Sequence, residues 1–283
     1  QYLLLLEGFF SAYEVKVCSQ MNISAVIHNT QQIDFINQIK PKNPINIHLK
    51  INTGMNRLGF PSSTVKSLIQ SLEKSPYIGN IILMTHFANA DEAIGVRDQL
   101  ALFNKVVDDS FDRSVANSAA IIRYPETHME WVRPGIMLYG ASPFEDQSSQ
   151  DIGLQPVMSL HSNIIAVQNL DKGQSVGYGS TFVATNKTRV GIVACGYADG
   201  YPRHAPSGTP IMVAGKISRT LGRVSMDMLY VDLTDIPSAD IHSEVELWGA
   251  NISVDEVAKQ AKTVGYELLC AISSSIRVPM EYA

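Results

Sequence analysis

The sequence predicts an α/β domain that is followed by a mostly antiparallel β domain. In the first half, short apolar runs alternate with stretches in which apolar residues recur at helical spacing. In the second half, short apolar runs are separated by Gly, Pro, Asp and Asn, and one helical stretch is evident. The polar stretch 145–155 lies between these two patterns, so we expect domains at 1–153 and 154–283.

Six apolar runs in the first half are predicted to be buried parallel strands. Their apolar character is continuous rather than alternating, which is typical of strands covered on both faces. The runs are 3–6, 25–28, 45–50, 81–86, 114–118 and 135–140. Amphipathic helices are predicted between them, for example over 65–72 and 96–107. Strand–helix alternation favours either an open doubly wound sheet or a closed βα barrel.

Five strands and one helix are predicted in the second half. The strands are 157–167, 189–195, 210–214, 228–233 and 244–248. The helix begins at Ser253, because Ser253 and Glu256 have the spacing of a capping box.

The composition is that of an ordinary globular protein, with 45% hydrophobic and 17% charged residues among 283. A net charge of −5 argues against a nucleic-acid partner, whose binding surface would be basic. Three cysteines without a CxxC pair favour a reducing cytoplasm. The early apolar run 3–6 is too short to span a membrane, and seven scattered histidines predict no metal site.

Polar residues lie where three of the predicted strands end. His86 and Ser118 end their runs, and Arg57 follows a glycine turn after the third run. A single histidine at a strand end is more often structural, and an arginine after a turn is usually a surface charge. Several such residues at one rim favour an active site, because the C-terminal ends of βα-barrel strands carry it. The glycine-flanked segments 177–179 and 196–203 are further candidates, and neither is a phosphate-binding loop or a dinucleotide fingerprint.

Seven segments of the sequence resemble motifs of the alanine racemase family. Residues 50–59 read KINTGMNRLG, which resembles the family pattern K-x-[DN]-T-G-M-x-R-L-G. The seven segments, in the family's order and spacing, are 50–59, 85–92, 116–120, 132–140, 176–181, 196–201 and 222–227. The resemblance implies a TIM-type barrel of eight strands, a C-terminal β domain, pyridoxal 5'-phosphate (PLP) as cofactor and a head-to-tail homodimer. The implied reaction interconverts L-alanine and D-alanine, which supplies D-alanine for peptidoglycan.

The resemblance also implies roles for particular residues. His86 would pack against the pyridine ring of PLP, and Arg133 would donate to the ring nitrogen. The phosphate would be held by Asn117, Ser118, Gly135, Ile136 and Tyr266. Arg57 would reach the phenolic oxygen of PLP and the substrate carboxylate, which the N–H of Met226 would also bind.

Racemisation needs a base on each face of the α-carbon. The resemblance implies that Tyr178 is one base and acts on the site of the partner subunit. The other base would be the lysine that bonds PLP. The residues implied to line the narrow substrate channel are Asp91, Tyr197, Arg203, Arg223 and Val264.

Lys50 has two interpretations, between which the sequence does not decide. It is either the carbamylated lysine that many family members use to orient Arg57, or an ordinary lysine at a strand end. Asn52 stands where the family often has aspartate, and Ser225 where some members have cysteine.

One family motif has no counterpart in the sequence. The family places the lysine that bonds PLP in a segment V-K-A-N-A-Y-G-H-G at the end of the first barrel strand, and residues 1–283 contain no such segment. We therefore expect a longer polypeptide whose first two barrel strands, with that lysine, precede Gln1. Two alternatives remain open: another PLP enzyme of the same fold, such as an amino-acid decarboxylase or broad-spectrum racemase, and an inactive PLP-binding fragment. The Tyr178 segment and the tight channel favour the racemase.

Overall fold

The structure is a computed structural model that describes residues 2–272. The chain divides into two compact units, residues 1–135 and 136–283. This division falls earlier in the chain than the boundary expected at 153/154.

The first unit is a parallel sheet with helical connections, as predicted. Its strands are β1 (Leu4–Leu5), β2 (Ser24–Ile27), β3 (Ile45–Asn52), β4 (Phe60–Pro61), β5 (Ile78–Met84) and β6 (Arg113–Ser114). Its helices are α1 (Ala12–Met21), α2 (Thr30–Ile39), α3 (Val65–Glu73), α4 (Arg97–Val106) and α5 (Ser118–Arg123). Among the described residues the sheet is open, with the order β1-β2-β3-β5-β6, and β4 pairs with β3. Every strand pair is parallel, so the C-terminal ends of the strands share one edge.

Burial and capping explain these elements. All four residues of β2 and most of β3 are buried, which is why their sequences are continuously apolar. Helix α2 begins where Asn29 accepts a hydrogen bond from the N–H of Gln32 (3.0 Å). Helix α5 begins in the same way, where Asn117 accepts from the N–H of Ala120 (3.1 Å). Asn117 and Ser118 are therefore held at the edge where the strands end.

The second unit is built on an antiparallel β barrel. Its strands are β7 (Leu160–Leu170), β8 (Ser175–Val176), β9 (Phe182–Val183), β10 (Thr188–Val193), β11 (Pro210–Val213), β12 (Lys216–Leu221), β13 (Leu229–Asp232) and β14 (Glu244–Trp248). The barrel closes in the order β10-β13-β12-β11-β14-β7, and β8 pairs only with β9. Helices α6 (Val254–Gln260) and α7 (Gly265–Ile272) follow the barrel. The antiparallel prediction is confirmed, whereas the closure of the barrel, β12 and α7 were not predicted.

Two predicted strands of the first half are wrong in part or entirely. The run 135–140 is not a strand, because Ile136–Tyr139 forms a 3₁₀ helix in which Leu138 and Tyr139 are exposed. Pro134 precedes this run and has no N–H for a strand ladder. The run 114–118 is a strand only to Ser114, because its last residues cap and begin α5.

No helix within residues 2–272 is long and apolar enough to cross a membrane. The same residues contain no group of three or more His, Cys, Asp or Glu side chains arranged to hold a metal ion. Cys18, Cys195 and Cys270 form no disulfide.

Candidate active site

In the first unit, the ends of β3 and β5 form a cleft that contains three of the predicted site residues. The cleft is lined by Lys50, Ile51, Asn52, Thr53, Met55, Arg57, Leu58, Thr85 and His86. Strand β3 extends beyond Lys50, so this lysine lies within the strand and is only 7% exposed. Arg57 is exposed on the turn that follows β3. The residues that were expected at one rim, apart from Ser118, therefore line the same cleft.

Arg133 is clamped between the ends of β5 and β6. Its Nη1 donates to the carbonyl of Ser114 (2.7 Å) and to the Ser114 hydroxyl (2.7 Å). Its Nη2 donates to the carbonyl of Thr85 (2.7 Å) and lies 3.4 Å from Nδ1 of His86. Since a guanidinium only donates hydrogen bonds, Nδ1 of His86 must be the unprotonated ring nitrogen in this contact. Nη2 also donates to the carbonyl of Val115 (3.3 Å). The His86 contact is the longest of these five, so it is the one that Arg133 would release most readily to bind another acceptor.

The cleft is electrostatically positive, and this sets the charge of His86. Burial and the neighbouring Arg133, Arg57 and Lys50 lower the pKa of His86 to about 4, so its ring is neutral at neutral pH. Burial lowers the pKa of Arg133 to about 10, which leaves the guanidinium charged.

Lys50 lies in the same positive field. Burial and then the charges of Arg57 and Arg133 lower its pKa, against a smaller opposite effect of Glu7. Among residues 2–272, no carboxylate forms an ion pair with Lys50. A buried lysine beside two arginines has a larger neutral fraction than an exposed lysine.

In the first unit, Ser118 is hydrogen-bonded to Gly135 and directly follows the capping residue Asn117. The N–H of Gly135 donates to the hydroxyl of Ser118 (2.7 Å). Asn117 uses its carbonyl oxygen to cap α5, and its Nδ2 donates to the carbonyl of Phe87 (3.3 Å). Because the Ser118 oxygen accepts from Gly135, its own proton remains available for an acceptor such as a phosphate oxygen.

Gln99 is a residue of this region that the sequence analysis missed. It lies on α4 and is buried, with hydrogen bonds to Thr53 and to the backbone of His86 and Ala88. The only signal in the sequence was its place on the apolar face of a predicted helix, where glutamine is unusual.

In the second unit, Tyr178 lies on a turn between two glycines. Gly177 and Gly179 have φ of 77° and 73°, a conformation that favours glycine, and the Tyr178 side chain is 72% exposed. A Cβ on Gly179 would lie 3.2 Å from Nη1 of Arg223, so the turn packs closely against that guanidinium. The structure therefore brings together the Tyr178 turn and one of the predicted channel residues.

A second pair of contacts in this unit joins the segment that carries Tyr197 to the segment that carries Met226. The N–H of Tyr197 donates to the carbonyl of Ser225 (3.0 Å), and the N–H of Ala198 donates to the carbonyl of Met226 (2.9 Å). A Cβ on Gly196 would collide with that Met226 carbonyl, so only glycine allows this approach. The N–H of Met226 has no acceptor within residues 2–272, and the residue is exposed.

The other predicted site residues lie in separate places along the chain. In the first unit, Asp91 is exposed and its carbonyl accepts from Arg123 (2.8 Å). In the second unit, Arg203 is exposed on a turn, and Val264 and Tyr266 are exposed beside the first residue of α7. Ile136 is buried at the first position of its 3₁₀ helix.

Together, the fold and the cleft define an α/β unit with a basic site at its strand ends, followed by a β-barrel unit. Residues 1–143 match the N-terminal domain of alanine racemases, and residues 157–282 match their C-terminal domain. The chain therefore belongs to the alanine racemase family, whose members are PLP-dependent isomerases with a TIM-type barrel and a β domain. The two matches leave 144–156 between them, so the boundary expected at 153/154 stays a prediction.

Relatives and solved structures agree with this assignment. The alanine racemase of Thiobacillus denitrificans is 50% identical over 280 residues, which are 99% of this chain and 76% of that protein. The catabolic alanine racemase of Klebsiella aerogenes is 49% identical over 280 residues, 98% of this chain and 78% of that protein. The crystal structure of the biosynthetic alanine racemase from Pseudomonas aeruginosa has a TM-score of 0.96 and 45% identity, and covers 100% of this chain and 79% of that one.

One structural relative carries the cofactor. The alanine racemase from Bartonella henselae, solved with covalently bound pyridoxal phosphate, has a TM-score of 0.82 and 26% identity. It covers 96% of this chain and 76% of that one.

Proposed function

We propose that this chain interconverts L-alanine and D-alanine with PLP, and that it does so as a homodimer that supplies D-alanine for peptidoglycan. The observation that carries the proposal is the positive cleft with a neutral His86 beside Arg133. It occurs in a chain about half of whose residues are identical to those of alanine racemases.

The residues of the first unit fit PLP in their charge and in the aromatic face of His86. The phosphate of PLP is anionic, and Lys50, Arg57 and Arg133 make the cleft positive. The neutral ring of His86 offers a flat face against which the pyridine ring would pack, and it adds no further positive charge beside Arg133, Arg57 and Lys50. When bound, PLP withdraws electrons from the α-carbon of its amino-acid partner and so acidifies the α-proton.

In this proposal the phosphate is held by two hydroxyl groups, an amide and the backbone. Ser118 donates its free proton, and Asn117 lies beside it at the first turn of α5. The remaining groups proposed to hold the phosphate are the backbone at Gly135 and Ile136 and the hydroxyl of Tyr266. Arg133 would turn Nη2 from His86 toward the pyridine nitrogen, and because a guanidinium keeps its protons the nitrogen would stay unprotonated.

The proton transfer needs two bases, and Tyr178 is proposed as one of them. Its phenolic oxygen would take or return the α-proton on one face of the substrate. Its exposure on a glycine-flanked turn is consistent with action on the site of a partner subunit. Arg57 and the unpaired N–H of Met226 would bind the substrate carboxylate and hold the α-carbon between the bases. The lysine that bonds PLP would be the second base.

The narrow channel is proposed to select a substrate with a small side chain. Its proposed lining is Asp91, Tyr197, Arg203, Arg223 and Val264. The packing of the Tyr178 turn against Arg223 supports a common role for these two residues.

We also propose that Lys50 is carbamylated. The lowered pKa of Lys50 favours its neutral amine, whose nitrogen lone pair would bond the carbon of CO₂ with loss of one proton. The product is an anion, and it would face the Arg57 and Arg133 guanidinium groups where a lysine cation is repelled.

Carbamylation of Lys50 is tested by ¹³C NMR after growth with labelled bicarbonate. We expect a carbamate resonance in the unsubstituted protein and none in Lys50→Met. A labelled Lys50→Met signal of equal intensity would contradict it.

Activity is tested with purified protein and PLP. L-alanine is expected to racemise, while ornithine, lysine and serine react far more slowly. Comparable rates with those substrates would indicate a broad-spectrum racemase, and release of CO₂ a decarboxylase. Borohydride reduction followed by peptide mass mapping is expected to locate a pyridoxyl-lysine, and no adduct would contradict PLP catalysis.

The Tyr178 assignment has its own test. Tyr178→Phe is expected to abolish racemisation and to retain PLP, because only the proton-carrying oxygen is removed. Tyr13→Phe on α1 is a matched control, since Tyr13 is equally exposed (71%) and lies far along the chain from every proposed site residue. Full activity in Tyr178→Phe would contradict the assignment of Tyr178 as one of the two bases.

A further inference from the structure

A buried chain of hydrogen bonds in the first unit joins α4 to the ends of β3 and β5. Gln99 is 8% exposed, and Thr53 and Thr85 are more deeply buried. Nε2 of Gln99 donates to Oγ1 of Thr53 (3.1 Å) and to the carbonyl of His86 (3.2 Å), and Oε1 accepts from the N–H of Ala88 (2.7 Å). Oγ1 of Thr53 lies 2.7 Å from Oγ1 of Thr85.

In this chain of hydrogen bonds around Gln99, the donor and the acceptor of every bond are determined. The N–H of Ala88 can only donate, so the oxygen of the Gln99 amide must face it and the nitrogen must face the other two partners. Thr85 uses its single proton for the carbonyl of Ile51 (2.9 Å), so Thr53 must donate to Thr85. Both protons and the oxygen of the Gln99 amide are therefore satisfied, and no other side chain of similar size offers this set of donors and acceptors.

The partners of Gln99 belong to the segments that carry the proposed site residues. Thr53 begins the turn that leads to Arg57, and Gly54 on this turn packs against the Gln99 side chain. Asn52 accepts from the N–H groups of Gly54 and Asn56, which makes the turn locally rigid. On the other side, Gln99 holds the carbonyl of His86 and the N–H of Ala88.

We propose that Gln99 is a positioning residue that sets the geometry of His86 and Arg57 relative to each other. It contacts neither substrate nor cofactor directly in this proposal, which rests on the roles of His86 and Arg57 in the proposed function. Buried polar groups that are fully paired fix one arrangement, because any alternative leaves a donor or acceptor unpaired. Gln99 thereby couples the cofactor side of the cleft to its substrate side.

Four variants of the holoenzyme test the inference. Gln99→Met keeps the length of the side chain and removes its hydrogen bonds, and Thr53→Val removes the link to Thr85 while Thr53→Ser keeps the hydroxyl. Gln99→Met and Thr53→Val are each expected to raise both the dissociation constant of PLP and the KM for L-alanine by about tenfold. Thr53→Ser is expected to restore both constants to near the unsubstituted values. The exposed Gln31→Met on α2 is the matched control.

Gln99→Glu adds a pH signature that a loss of packing alone does not produce. An ionised carboxylate would face the carbonyl of His86 with no proton to donate, whereas a protonated one would donate again. The PLP dissociation constant of Gln99→Glu is compared with that of the unsubstituted protein at each pH. The ratio of the two constants is expected to decrease as the pH is lowered from about 8 to about 5, because the carboxyl group gains its proton.

The outcomes separate a positioning role from a structural one. If Gln99→Met and Thr53→Val lower only the melting temperature and leave both constants unchanged, the inference is wrong. Should Gln99→Met not fold, the comparison of Thr53→Val with Thr53→Ser and the pH trend of Gln99→Glu decide alone. An unsubstituted protein that binds PLP without racemising alanine would contradict the proposed function, and the PLP dissociation constants would still test Gln99.

Discussion

At the scale of single residues, the cleft depends on which groups carry charge. The sequence predicted that His86, Ser118 and Arg57 meet at one edge, because polar residues after buried parallel strands share that edge. His86 and Arg57 line one cleft together with Lys50, whereas Ser118 is not part of its lining. It could not show that His86 is neutral, since this follows from burial and from three cations that approach it only in the fold. Gln99 was missed because a glutamine on a helix carries no signal of its partners.

Ser118→Ala is predicted to weaken PLP binding. The substitution removes the acceptor of the Gly135 N–H and the proton that the proposal assigns to the phosphate. Loss of such a hydrogen bond costs about 1 kcal/mol or more, so the dissociation constant of PLP is expected to rise by about fivefold to tenfold. Ser67→Ala on the exposed side of α3 is the control. Unchanged PLP affinity in Ser118→Ala, measured by titration of the cofactor absorbance, would exclude Ser118 from the phosphate site.

At the scale of elements, the sequence predicted which segments form strands more accurately than where those strands begin and end. Continuous apolar runs identified β2, β3 and β5, because these strands are buried on both faces. The same criterion failed at 135–140, where Leu138 and Tyr139 are apolar and exposed on a 3₁₀ helix. Strand β12 was missed since four of its six residues are polar, and two of those four are basic.

Gly140 ends this 3₁₀ helix and is predicted to tolerate no side chain. Its φ is +75°, and a Cβ would collide with the carbonyl of Gln155 in the same unit. Gly140→Ala is therefore expected to lower the free energy of unfolding by about 2 to 4 kcal/mol, through backbone strain and overpacking. Gly153→Ala is the matched control, because Gly153 has a φ of +73° and open space around the added Cβ.

Denaturant unfolding of the two variants separates these effects. Gly153→Ala reports the cost of the left-handed backbone alone, about 1 kcal/mol. Equal losses of stability in Gly140→Ala and Gly153→Ala would show that the approach to Gln155 contributes nothing.

At the scale of the whole molecule, the order of a parallel α/β unit and an antiparallel β unit was readable from the sequence, and its family from the motif segments. The closure of the second sheet into a barrel could not be read from the sequence. Closure depends on two pairings: β10 with β7, which are close in sequence, and β14 with β7, which are far apart. Long-range pairing leaves no local pattern in the chain.

Stability of the molecule toward acid is predicted to depend on neutral histidines in the first unit. His48 on β3 is 2% exposed. Its Nε2 forms a hydrogen bond with the Tyr2 hydroxyl (3.1 Å), and its Nδ1 has no partner within residues 2–272. Burial, and then the charge of Arg133, lower its pKa from 6.5 to about 4. The unfolded chain therefore binds the proton more tightly than the folded one.

The sign of the effect follows from this difference. Above the unfolded pKa near 6.5, His48 is neutral in both the folded and the unfolded chain, so its titration does not change the free energy of unfolding. As the pH falls from 6.5 toward about 4, only the unfolded chain gains the proton, and the free energy of unfolding decreases. The shift corresponds to a loss of about 3 kcal/mol when complete. His48→Gln removes this titration, so its free energy of unfolding in urea is expected to decline less between pH 7 and pH 4 than that of the unsubstituted protein. The exposed His204→Gln should retain the full decline. If His48→Gln instead follows the same pH curve as His204→Gln, the acid sensitivity arises elsewhere in the molecule and His48 is not held neutral by the fold.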